Sequence, residues 1–425
     1  MAEKETPEVG DIVKLTTIKG EVLGRLLESP KTELYLIKLK SGYNIGIKKE
    51  NVTKIEIIEK FVEEREEKEK YNPNPALPNV DIIITGGTIS SSLDVKTGAV
   101  SNLTQPGQLL KFYPGLFKIA NVRKIEVPFM VSSEDMNSEH WIKIAKTVEK
   151  SLNDKEVAGV IVTHGTDFLH YTSAALSFFL KSLNKPVVLT YSQRSTDRAS
   201  SDAALNLECA ARMAVSNVAE VMLVGHGSQN DDFCFAHKGT KVRKLHSSRR
   251  DAFKSVNSSP ITKILNSGKI EYLDEFRRRN DGKVELDAVF NDKVALIKYY
   301  PGMDPEILDY YASRYDGIVL EVGGLGHVAV EGKKSWIAKL KKVIDNGLKV
   351  AVTAQTIFGS LNSNVYSNGR TFEKTGAVFC KDMLAETALV KMGWILGHVK
   401  QKWKYEFKDK MLINYSNEFS ERLIT

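Results

Sequence analysis

The stretch VDIIITGGT (80–88) passes from a nearly unbroken β-branched run straight into two glycines and a threonine. An amphipathic surface strand alternates apolar and polar residues; a strand buried on both faces reads as a continuous apolar run. The same texture recurs in VAGVIVTHGTD (157–167), KPVVLTY (185–191), AEVMLVGHG (219–227), DGIVLEVGG (316–324) and LKVAVTAQT (348–356). Between these runs, HWIKIAKTVEKSL (140–152), DAALNLECAARMAV (202–215) and SWIAKLKKVIDNG (335–347) place apolar residues at i, i+3 and i+4, the helical spacing. Buried strands alternating with helices predict an α/β fold built on parallel sheet. In such sheets ligands bind beyond the carboxyl ends of the strands. The polar residues that close each apolar run are therefore the candidates for chemistry.

Upstream of Asn79 the texture is different. DIVKLTT, EVLGRLLE, ELYLIKLK, YNIGIK and NVTKIEII are short β-rich runs punctuated by Gly10, Gly20, Pro30, Ser41 and Gly42. That many strands in so short a stretch predict a small all-β barrel of SH3-like size over residues 1–60. Residues 61–78 carry a charge run and then Pro73, Pro75 and Pro78, which reads as a linker. The large α/β domain is expected over 79–275. A second charged stretch, EFRRRNDGKVELD (275–287), interrupts the alternation, so a linker is placed at 276–292 and a smaller α/β domain at 293–425.

Length and composition agree with several folded units. The chain has 425 residues, 42% hydrophobic and 27% charged, an ordinary globular mixture. Sixty Lys and Arg against 53 Asp and Glu give +7. Residues 1–75 hold 14 basic and 15 acidic side chains, so the remainder carries +8. That spread reads either as a solvated surface or as contact with nucleic acid. Cys209, Cys234 and Cys380 are far apart and form no CxxC, so neither a disulfide framework nor a metal site is expected. The first residues lack the apolar core of a signal peptide and no run approaches a membrane span, so a cytoplasmic chain with no membrane partner is expected.

Two strand ends carry chemistry. Thr85-Gly86-Gly87-Thr88 lets backbone approach a ligand closely, but lacks both the phosphate-loop lysine and the GxGxxG spacing; alone it reads as a tight turn. His164-Gly165-Thr166-Asp167 adds a hydroxyl and a carboxylate; alone, Thr-Asp reads as a helix cap. Lys244 stands in a basic stretch, 238–254, that alone reads as a solvated loop.

Together they are more specific. TGGT (85–88), HGTD (164–167) and a lysine ahead of AFKSVN (252–257), with SSEDM (132–136) and SQR (192–194), resemble the L-asparaginase/glutaminase family over residues 79–425. The resemblance implies a two-lobed asparaginase-like body. The barrel and linker in front of it, and HKGTKVRKLHSSRRDAF (237–253), are similar to the D subunits of archaeal glutamyl-tRNA(Gln) amidotransferases. That likeness implies a glutaminase subunit, with no cofactor of its own. Its amidotransferase E subunit partner would bind tRNA(Gln), use ATP and Mg to activate the mischarged glutamate, and receive the ammonia. A homodimer within a heterotetramer is implied as well.

By the same resemblance Thr88 is the nucleophile that forms the acyl-enzyme, and Thr166, Asp167 and Lys244 make a second catalytic group. A lysine beside Asp167 can relay a proton through Thr166 or a water. The N–H groups following Gly86 and Gly165, at Gly87 and Thr166, are the expected oxyanion donors. Asp167 and Glu134 suit the substrate ammonium; the Ser133 hydroxyl with nearby backbone N–H groups suits its carboxylate. His327, with Tyr366 and Arg370, resembles a contribution from a neighbouring subunit; the other reading is a loop histidine outside the site. One departure stands out: the family's loop tyrosine has no counterpart in residues 90–102, where Val95 takes its place. Gly98 and the small residues of that loop suit an ordering lid.

The tail VKQKWKYEFKDKM (399–411) alternates lysines with Trp403, Tyr405 and Phe407. Period-two alternation predicts a strand; basic residues interleaved with aromatic ones also suit RNA. Two other functions remain open: a free-standing asparaginase, and an idle RNA- or partner-binding module on the same scaffold.

Overall fold

A computed structural model describes residues 6–29, 31–61, 71–87, 89, 91–93, 100–102, 106–196, 198 and 200–420. Thr88 and Val95 lie outside the described residues, as do residues 62–70 of the first linker.

The N-terminal unit is a five-stranded antiparallel sheet. Its strands lie in the order Asn44–Lys48, Leu34–Leu39, Gly20–Leu27, Ile12–Thr17, Val52–Glu59. Val13, Leu15, Leu26 and Ile37 point to one small core, as alternation along each strand requires. The sheet meets the body where the Arg198 guanidinium lies 4.6 Å from the Tyr43 ring centroid.

The large lobe is an eight-stranded sheet. Its spatial order is Ile270–Tyr272, Thr262–Leu265, Phe233–Lys238, Val221–His226, Val187–Thr190, Val157–Thr163, Asn79–Ile84, Asn121–Glu126. The last five are mutually parallel. The first three pair antiparallel, so the expected parallel sheet is mixed. The antiparallel strands come from 233–272, where hairpins replace helical crossovers and chain direction must reverse.

Both faces are covered, which is why the central strands read as unbroken apolar runs. On one face Ile83, Val160, Val162, Leu189 and Leu223 pack with Ile144, Val148, Ala174 and Phe178 of the helices Ser138–Leu152 and Leu169–Phe179. On the other, Val80, Ile82, Ile84, Ile161, Val188 and Met222 pack against Leu207, Ala210 and Ala214 of the helix Ala203–Ala214. Each fully buried aliphatic side chain contributes about 1.5–3 kcal/mol. The smaller lobe is a parallel four-stranded sheet, Val294–Lys298, Gly317–Val322, Lys349–Ala354, Val378–Phe379. The helix Ala385–Gly397 joins the lobes: its Val390, Met392 and Trp394 share one core with Phe178 of the large lobe and Val319 and Ala351 of the small sheet.

The tail differs from the expected strand. Residues 403–406 form a short 3-10 turn and Phe407–Leu412 an α-helix. Phe407 and Met411 are buried, and Trp403 stacks on His398 with centroids 3.8 Å apart. These three residues are four apart, so they share a helical face; the lysines between them make a helix look like a strand.

Candidate active site

The strands Asn79–Ile84, Asn121–Glu126 and Val157–Thr163 are adjacent and parallel, so their C-terminal loops meet at one edge of the sheet. Backbone contact welds the loops together. Thr85 Oγ1 donates to the Thr163 carbonyl at 2.9 Å, and Val131 N–H donates to the Thr85 carbonyl at 3.2 Å. Gly86 and Gly87 sit at φ 141° and 85°. A Cβ on Gly86 would stand 2.4 Å from the Val131 carbonyl oxygen, and one on Gly87 2.6 Å from that of His164. The paired glycines are therefore demanded twice, by positive φ and by the close passage of two other loops.

Thr166 and Asp167 follow on the third loop. The hairpin Val242–Lys244 with Phe253–Ser255 brings Lys244 to them. Its Nζ donates to Thr166 Oγ1 at 2.9 Å and Asp167 Oδ1 at 2.7 Å. The lysine side chain is only 8% exposed, whereas that of Asp167 is 63% exposed. The ammonium thus lies beneath the loop and the carboxylate reaches solvent, which leaves Asp167 open to a cationic group on a ligand.

Ser133 is buried next to Gly165, where an added methyl group would meet Ser133 Cβ at 3.2 Å. Its hydroxyl lies 3.4 Å from both Glu134 Oε2 and the Phe168 N–H. Ser133 and Glu134 therefore border the same loop as Thr166. The described residues on either side of Thr88, Gly87 and Ile89, are held too: the buried Tyr113 hydroxyl donates to the Ile89 carbonyl at 2.6 Å.

A buried histidine supports the third loop, and a second lies in the helix that follows it. Burial pushes His164 down to about 4, so it is neutral near pH 7. Its Nδ1 lies 2.7 Å from the Gly165 carbonyl, an obligate acceptor, which assigns the proton to Nδ1. Nε2 then accepts from Thr172 Oγ1 at 2.8 Å. His170 is pushed down to about 3 by burial and then by Arg243 and Lys244.

His327 lies elsewhere. It closes a tight turn, Gly323–His327, after a strand of the small lobe and stands edge-on to Tyr366 at 5.4 Å. Among the described residues no hydrogen bond joins it to the Lys244 group. Nothing in the sequence signals three further supports. Tyr113 holds Ile89. Arg243 reaches the small lobe through Glu386 at 2.9 Å, and that contact anchors the hairpin of Lys244. Asp202 grips the SQR segment by accepting from the N–H groups of Gln193 and Arg194 at 3.0 and 2.9 Å. The first two join residues far apart in the chain, and none follows from periodicity or spacing. Among the described residues no cluster of three or more His, Cys, Asp or Glu could hold a metal. The three cysteines are free and buried.

The arrangement offers a protected cation between a hydroxyl and an exposed carboxylate, facing a glycine-rich strand end. Comparison with known proteins gives this a class. The asparaginase N-terminal model matches residues 79–278, and the glutaminase/asparaginase C-terminal domain model residues 293–406. The thermostable L-asparaginase from Thermococcus kodakarensis superposes with TM-score 0.71 at 29% identity, covering 81% of this chain and all of that one. L-asparaginase I from Vibrio cholerae gives 0.68 at 25% identity, again covering 81% of this chain and all of the other. The fold is thus of the asparaginase class.

The N-terminal sheet narrows this, because the GatD N-terminal domain model matches residues 7–58. The D subunit of the glutamyl-tRNA(Gln) amidotransferase from Thermococcus kodakarensis is 47% identical, covering 97% of this chain and 94% of that protein. Its counterpart in Methanococcus maripaludis is 40% identical, covering 98% and 99%. The chain belongs to the family of glutamyl-tRNA(Gln) amidotransferase D subunits.

Proposed function

We propose that this chain hydrolyses glutamine to glutamate and ammonia, and that the ammonia serves the conversion of Glu-tRNA(Gln) to Gln-tRNA(Gln) on a partner E subunit. The observation that carries the chemistry is Lys244 Nζ held at hydrogen-bond distance from Thr166 Oγ1 and Asp167 Oδ1 at the glycine-rich strand end. Thr88 Oγ attacks the amide carbon and loses its proton; N–H groups of Gly87 and Thr166 receive the oxyanion. The C–N bond breaks as the leaving nitrogen takes up a proton. Water then hydrolyses the Thr88 ester, giving glutamate and restoring the hydroxyl. Lys244, Thr166 and Asp167 form the proton relay that such a sequence requires twice.

Asp167 and Glu134 receive the substrate ammonium, and Ser133 with Gly165 frames its carboxylate. His327 completes the site from a second copy of the chain. The subunit itself uses no cofactor; ATP and Mg act on the partner, which also carries most of the contact with tRNA(Gln). The assembly is a homodimer within a heterotetramer, and acts in the cytoplasm. No helix among the described residues is long and apolar enough to cross a membrane.

The Val95 substitution bears on regulation. With no tyrosine to assist Thr88 from the loop 90–102, basal glutaminase activity is low and rises when partner and tRNA complete the site. The test compares glutamine and asparagine turnover in the purified chain, then adds E subunit and tRNA(Gln). Glutamine preference with stimulation is expected. Asparagine preference with no effect of tRNA would identify a free-standing asparaginase instead, and full activity in Thr88→Val would refute the mechanism.

A further inference from the structure

The helical tail leaves a surface unused by the catalytic reading. Five lysines and two carboxylates lie between residues 399 and 410. Trp403 and Phe407 turn inward, so Lys400, Lys402, Lys404 and Lys408 are exposed. Among the described residues Lys400, Lys402 and Lys408 have no ion pair, and Lys404 has only a loose one, 3.7 Å from Asp316. Tyr405 projects from their midst at 84% exposure.

Asp316 places this tail on the smaller lobe. Its backbone accepts from Lys349 N–H and donates to the Lys293 carbonyl, and its carboxylate accepts from Asn291 Nδ2 at 2.9 Å. Burial and the charge of Lys404 hold Lys349 below the usual lysine range. Two residues earlier, exposed Arg314 lies over the ring of Tyr310, 5.0 Å from its centroid, and that ring is itself 49% exposed. The only carboxylates among these groups are Asp316, Glu406 and Asp409, and Glu406 is taken up by Lys410.

Tyr405 and the exposed lysines around it in the chain add nothing to the core. They do match a strand that presents phosphates and an unstacked base together: the cations meet the backbone and the ring takes the base face. We propose that this face of the smaller lobe, centred on Lys400, Lys402, Lys404 and Tyr405, binds single-stranded RNA directly. It adds a contact made by this chain itself to the partner-mediated contact proposed above, and it does not depend on glutamine hydrolysis.

The test uses the full chain and a labelled mixed-sequence RNA about 20 nucleotides long, titrated at several salt concentrations. Two distinct signatures are expected. Lys400→Gln/Lys402→Gln/Lys404→Gln should lower the slope of log K against log salt by about 2, at about 0.7 per single-strand phosphate contact. Tyr405→Ala should weaken binding roughly 5- to 150-fold, the equivalent of one stacked base, with the slope unchanged. Glutamine hydrolysis should remain as in the unsubstituted chain for both variants, since none of these residues borders the site. No binding by the unsubstituted chain at low salt would overturn the proposal. So would RNA binding indifferent to both variants, or loss of E-subunit association in Tyr405→Ala with RNA binding intact. Failure of glutaminase activity with both RNA signatures present would count against the catalytic reading alone.

Discussion

Gly87→Ala gives the sharpest test of how the site is built. A Cβ there would stand 2.6 Å from His164 O, 2.7 Å from His164 C and 2.9 Å from Gly165 N. All three are backbone atoms of a loop that cannot easily retreat. Thr163 O is held by Thr85 Oγ1, and His164 is pinned at both ring nitrogens. Restoring an ordinary contact of about 3.4 Å requires the two loops to part by about 0.8 Å. The positive φ adds about 1–2 kcal/mol of conformational strain. A displacement near 1 Å between reacting groups costs about 10²-fold in rate, so kcat for glutamine should fall by about that factor.

Gly347→Ala separates the two effects. Gly347 has φ 108° with nothing within 4 Å of its would-be Cβ, so it carries the strain without the crowding. Steady-state glutamine hydrolysis and thermal melts on both variants provide the measurement. Both should lose stability; only Gly87→Ala should lose turnover. Near-normal kcat in Gly87→Ala, with a melt matching Gly347→Ala, would refute the argument that these glycines set the loop spacing.

Other outcomes follow from the same structure. Lys244→Met should lower kcat about 10²- to 10⁴-fold, the usual contribution of a proton-transfer group, while the melt moves little because its partner Asp167 is largely exposed; unchanged turnover would remove Lys244 from the mechanism. Acid should destabilise the fold through its buried histidines. His164 is held near 4, and His170 and His237 near 3, chiefly by burial, so the unfolded chain takes up protons first. Their contribution is complete above about pH 6.5 and declines as pH falls toward 4, by up to about 1.4 kcal/mol per pH unit for each histidine. Unfolding near pH 5 should therefore take up about one proton fewer in His237→Gln; an unchanged uptake would contradict the neutral assignment. Finally, Lys391 and Glu418 form a pair with no exposed surface at 2.6 Å. Lys391→Met should cost about 3–5 kcal/mol by stranding the carboxylate, and Lys391→Met/Glu418→Gln should recover part of it; a double variant melting no higher than the single one would argue against that cause.

Four of the five parallel strands of the large lobe are legible because burial on both faces writes itself as runs such as 80–84 and 157–163, and strand ends in such sheets are where ligands sit; the edge strand Asn121–Glu126, with Arg123, Lys124 and Glu126 on it, carries no such run. That locates Thr166 and Asp167 directly. Lys244 comes from a resemblance of motifs, since nothing in its own stretch separates it from a solvated loop. The tail misleads because Trp403, Phe407 and Met411 repeat every four residues while intervening lysines imitate a period of two.

Composition, periodicity and the glycine-bearing strand ends by themselves determined the α/β class, the separate β-rich unit and the edge of the sheet that carries chemistry, because these are local consequences of burial and backbone freedom. Only the tertiary structure decided that Lys244 reaches Thr166 across 78 positions, that Glu386 of the other lobe secures its hairpin, and that Tyr113 fixes the carbonyl of Ile89. Such contacts depend on how strands are ordered and lobes docked, and no local preference encodes the partner of a side chain that lies far away in the chain.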